Sequence, residues 1–83
     1  MRIPDEINDA FFAGKRSHKI KFVINDTVQV IYGKFKGTEA AVISVDSLEP
    51  EASYLLERFD GSKDIIVPQS SMKLVLASEV GTK

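Results

Sequence analysis

Between Lys19 and Ala77 the chain passes through six short stretches in which apolar residues recur at every second position, most of them closed by Gly, Pro, Asn or Asp. Alternation with a period of two lines up one apolar face on a pleated strand and scatters it around a helix, so strands are expected throughout. The stretches are KIKFVI from Lys19, NDTVQVIY from Asn25, TEAAVISV from Thr38, ASYLLERF from Ala52, KDIIVP from Lys63 and MKLVLA from Met72. In the first, Ile20, Phe22 and Ile24 are expected on one face, against Lys19, Lys21 and Val23 on the other; in the second, Val28, Val30 and Tyr32 share a face. Asp60-Gly61 between two apolar runs is a strong hairpin signal. Pro50 breaks the longer turn SLEPEA, and Pro68 ends a ladder just before serines that often open or cap a single helical turn. Five or six short strands at this spacing predict an all-β small barrel or sandwich.

Ahead of the strands, Ile3 to Ala13 reads as a helix. Pro4 suits the first turn, Asp5 and Glu6 favour the positive end of the helix dipole, and Ile3, Ile7, Ala10 and Phe11 recur at helical spacing. Gly14 is a natural stop. Phe11 and Phe12 are adjacent and cannot both enter one apolar stripe, so one faces the core and the other is covered or free to dock a partner. The polar connector Lys15 to Lys19 follows. The expected layout is a helix and basic connector over 1–19, a barrel over 20–77 and a frayed tail over 78–83.

At 83 residues the chain has material for one core. With 43% apolar and 28% charged residues it lies in the ordinary globular range. It contains no cysteine, which excludes disulfides, thiolate nucleophiles and sulfur-ligated metals. The N-terminal stretch carries Asp5, Glu6 and Asp9 and no long apolar run, unlike a secretory signal, and nothing approaches a membrane span; a cytoplasmic, soluble protein is expected. The net charge is -1 and the pI about 5.7, yet Lys15, Arg16, Lys19, Lys21, Lys34 and Lys36 face only Asp26 between Lys15 and Gly37. Nucleic-acid binding, which usually goes with a pI above about 9, would have to come from that one patch.

The stretch NDTVQVIYGKFKGTEAAVISV resembles the KOW motif, with Asp26, Val28, Val30, Gly33, Lys36, Gly37, Val42 and Val45 at matching positions. Ala40 stands where that family usually carries a second glycine. RFDGSKDIIVPQSSMKLV is similar to the hairpin, helical turn and closing strand of the SH3-like barrel that bears the motif. The resemblance runs from about Phe22 to Leu76. It implies an SH3-like small barrel of five to six short strands with an added N-terminal helix, and contact with RNA, the ribosome or RNA polymerase.

Gly33 and Gly37 most simply supply positive backbone dihedrals in a hairpin loop, as Asp60 and Gly61 serve another turn. GKFKGT lacks the spacing of a phosphate-binding loop. Lys34 and Lys36 flank Phe35, which either folds back over the core or stacks on a ligand while the lysines meet phosphates. Tyr32 and Tyr54 are expected in barrel packing. His18 has no second histidine or carboxylate near it in sequence, and no catalytic constellation is recognisable, so no metal, no cofactor and no enzymatic activity are expected. The expected function is a binding module for a protein partner, placed first because the chain is acidic overall. An RNA- or ribosome-contacting module is the alternative. Candidate contacts are Lys34, Phe35, Lys36, Lys15, Arg16, Lys19, Lys21 and Phe12; the number of subunits stays open.

Overall fold

A computed structural model describes residues 3–79, so most of the expected tail over 78–83 lies outside the described residues. The chain forms helix α1 (Asp5–Phe12) and strands β1 (Thr27–Val30), β2 (Glu39–Ser47), β3 (Ser53–Arg58), β4 (Ile65–Pro68) and β5 (Met72–Leu76), with a 3-10 turn at Gln69–Ser71. Pro4 precedes α1, where its carbonyl accepts from the Ile7 and Asn8 N–H groups. Gly14, at φ 77°, ends the helix by leaving the right-handed region.

The strands make one open antiparallel sheet in the order β4-β3-β2-β1-β5. Thr27 pairs with Ala41, Val28 with Leu74, Ala40 with Arg58 and Tyr54 with Val67. β2 is the longest strand, and its ladder with β3 is interrupted between Val42 and Ser44 and again between Val45 and Ser47. Each such irregularity adds a residue on one side and bends the strand, which curves the sheet around its apolar face. That face carries Val28, Val30, Ala40, Val42, Val45, Tyr54, Leu56, Ile65, Val67 and Met72. Phe11 of α1 closes it, stacked on Tyr54 at 6.4 Å, and Phe22 meets the same ring edge-on at 5.6 Å.

One expected strand is absent. KIKFVI is irregular backbone, leaving five strands, and Phe22 and Val23 are both buried, which alternation forbids. Its polar groups find partners outside any ladder: the Lys21 N–H donates to Gln69 Oε1 at 2.8 Å and the Ile24 N–H to the Phe11 carbonyl at 3.3 Å. The segment is a strap laid across the open side of the core, so its apolar residues point inward wherever the surface offers room.

Asp26 fixes this strap to both ends of the fold. Its carboxylate is wholly buried and accepts from the Val23 N–H at 2.9 Å, the Ser78 N–H at 2.7 Å and both terminal nitrogens of Arg16, Nη2 at 2.8 Å. Burial pushes the carboxyl pKa up, but the Arg16 bonds and the Ser78 and Val23 N–H groups outweigh it and hold the pKa below the usual carboxylate range.

Candidate functional site

The β1–β2 loop and the β3–β4 loop lie side by side because Ala40 pairs with Arg58, and the Phe59 N–H continues that contact to the Glu39 carbonyl at 3.3 Å. Gly33 and Gly37, at φ 88° and 93°, shape the first loop; the Gly37 N–H donates to the Val30 carbonyl at 2.7 Å. A Cβ at either glycine would meet nothing within 4 Å, so the backbone dihedral alone requires glycine there. In the second loop Asp60 Oδ1 accepts from the Ser62 N–H at 2.8 Å and Gly61 takes φ 82°.

Phe35 follows the first of its two expected courses. It folds back against the core, half-buried, with Lys34 Nζ 5.3 Å and Arg58 Cζ 5.2 Å from its ring centre. Both cations are within the range in which the ring quadrupole attracts them. Lys34 and Lys36 are exposed. The rings presented to solvent at this end are two others, Tyr32 at 65% and Phe59 at 57% exposure.

Tyr32 departs from its expected place in the barrel. β1 ends at Val30, and the chain has already turned away from the inward face when Tyr32 is reached. Phe59 was not singled out from the sequence, although a signal existed: it is out of phase with the inward series Ala52, Tyr54 and Leu56. An open cleft of about 490 Å³, lined by Lys36, Thr38, Glu39, Phe59 and Asp60, lies between the loops. Its charges are mixed, with Lys36 and Glu39 on the β1–β2 side and Asp60 on the β3–β4 loop.

The connector lysines lie elsewhere. Lys19 borders the turn between β2 and β3, at the far end of β2 from Lys34 and Lys36, and β2's nine residues span roughly 25 Å at strand rise. Arg16 is turned inward onto Asp26 and also donates to the Lys21 carbonyl at 3.2 Å. Lys15 and Lys21 are exposed. The basic residues that cluster in sequence therefore divide between two ends of the sheet. Phe12 is 54% exposed, its ring edge-on to Phe11 at 5.0 Å.

At the connector end is a cavity of about 370 Å³. Pro4, Leu48 and Ala52 give it apolar walls, Lys19, Glu49 and Glu51 its charges, and Gln69 its amide; His18 also borders it. Gln69 Oε1 accepts from the Lys21 N–H and from the Tyr54 hydroxyl, at 2.8 and 2.5 Å, which fixes the amide plane. Burial pushes the Tyr54 phenol up to about 12. Glu51 holds the 3-10 turn from outside, accepting from both the Ser70 N–H and hydroxyl at 2.8 Å. This differs from the expected capping by Ser70 and Ser71, since the turn has no side-chain cap from within.

Among the described residues no group of three or more His, Asp or Glu is placed to hold a metal ion, and no helix is long and apolar enough to cross a membrane. Comparison of the chain with protein families, with curated proteins and with solved structures yields no match.

Proposed function

We propose that the chain is a non-catalytic binding module that docks on a protein partner through the end of the sheet formed by the β1–β2 and β3–β4 loops. The observation that carries this reading is the pair of exposed rings, Tyr32 and Phe59, set in two loops that flank the paired ends of β2 and β3, where the Phe59 N–H donates to the Glu39 carbonyl. Aromatic side chains offer large contact area with few rotatable bonds, and they are enriched at the centres of protein interfaces together with arginine. The mixed charge of the intervening cleft favours a protein surface over a polyanion. The SH3-like reading of the sheet is supported by a strand order in which β5 returns to β1 after a 3-10 turn, and by the bent β2. Capture of a discrete partner by the immobilised chain tests the proposal: Tyr32→Ala with Phe59→Ala abolishes it, whereas Phe12→Ala leaves it intact. Retention of the partner by the double variant overturns the assignment.

The RNA-contacting alternative is favoured by one arrangement, the exposed Lys36 lining the same cleft as Phe59, with Lys34 exposed in the loop that carries Tyr32. It requires affinity that falls steeply with salt, with a slope reduced by about one for each phosphate contact removed at Lys34 or Lys36. Absence of RNA binding at low salt excludes it.

A further inference from the structure

We infer that the cavity at the connector end receives one long basic side chain, arginine or lysine, from a partner polypeptide; this rests on the reading of the chain as a protein-binding module and adds a contact remote from the loop rings. The space, about 370 Å³, is at the small end of the range for ligand pockets and suits a single extended side chain better than a folded element. Pro4, Leu48 and Ala52 match the aliphatic stem of such a residue, whose charged head then reaches the rim. There Glu49 has no side-chain hydrogen bond or ion pair among the described residues, and Glu51 is held in place by Ser70. Among the described lining residues the two carboxylates outnumber Lys19, so the rim attracts a cation. The Gln69 amide is oriented by its two donors on Oε1, which leaves its Nε2 hydrogens to meet the partner's main-chain carbonyl. An acidic side chain would face like charges, and an apolar one would cover the carboxylates without compensating them.

Blocked tetrapeptides with arginine, lysine, norleucine or glutamate at one position, titrated into the isotope-labelled full chain and followed by amide chemical shifts, test this. Shifts at Leu48, Ala52 and Gln69 are expected with arginine and lysine and not with glutamate. Glu49→Gln weakens binding about fivefold and Lys19→Gln strengthens it about twofold, as expected of partly exposed charges. A general loss of structure cannot produce opposite signs. Equal binding of the norleucine or glutamate peptide, shifts confined to other residues, no shifts at all, or the same direction of change in both variants overturns the proposal. The Tyr32→Ala, Phe59→Ala variant titrates with the peptides as the parent does, so failure at the cavity and failure of the loop docking site are read separately.

Discussion

Asp26 carries more of the fold than any other polar side chain described. A carboxylate with no exposure is tolerable only because four donors and a full positive charge surround it, and removing the charge leaves Arg16 without its partner. Asp26→Asn is expected to lower stability by roughly 3 kcal/mol, read as a lower urea midpoint at unchanged slope. The pH dependence follows from the depressed pKa. Above the unfolded value of about 3.9 the contribution is complete; as pH falls below it the unfolded chain takes up the proton first, and stability is lost down through the folded pKa. Asp26→Asn therefore flattens the acid limb of the stability profile. Tyr54 acts at the opposite extreme: its phenol, raised to about 12, stays protonated in the fold after the unfolded chain begins to ionise near 10, so stability declines with rising pH between the two. Ultraviolet titration of the Tyr32→Phe variant isolates that ionisation. The position of Asp26 was marked by its resemblance to a family pattern, but its partners at Arg16 and Ser78 were not legible, since nothing local ties residues separated by 10 and 52 positions.

At the scale of elements, the sequence announced what is encoded locally. α1, the five strands, and the turn glycines at Gly33, Gly37 and Gly61 each rest on a short-range signal: helical spacing, alternation, or a positive φ. Gly33→Ala and Gly37→Ala should each cost about 1 kcal/mol through backbone strain alone, with no steric term, as measured by chemical denaturation. The Ile20 to Ile24 strap misled because alternation reports only where side chains prefer to lie, while a strand also needs a neighbour to accept its backbone. Here the neighbour is the Gln69 side chain and the end of α1. Tyr32 illustrates the same limit from the other side, since its exposure depends on where β1 stops, whereas the exposure of Phe59 is legible in its phase against Ala52, Tyr54 and Leu56. β5, a terminal strand, exposes Leu74, Val75 and Leu76, whereas β4 at the other edge ends on Pro68. Leu76→Lys is expected to change stability by less than about 0.5 kcal/mol while reducing self-association at high concentration, as light scattering would register.

For the molecule as a whole, the division of the basic residues between two ends matters more than their number. Among the described residues no single electropositive face is formed, and each end combines apolar and charged groups of both signs. Replacing Lys34 and Lys36 by Gln should accordingly leave stability within about 0.5 kcal/mol and leave peptide titrations at the cavity unchanged. Only binding at the loop end responds.

The meeting of Arg16, Asp26 and Ser78 on one carboxylate has a kinetic corollary. The Ser78 bond closes a separation of 52 residues, and with Ser78 two residues beyond the end of β5 it is expected to form once β5 has found β1. Contacts that must await so much chain closure usually form late, on the native side of the folding barrier. The part of the Asp26→Asn loss that falls on the Ser78 bond is then expected to appear in the unfolding rate and to leave the folding limb of a chevron nearly unmoved. An unfolding limb that carries that change would mark the buried carboxylate as a brake on escape from the native state.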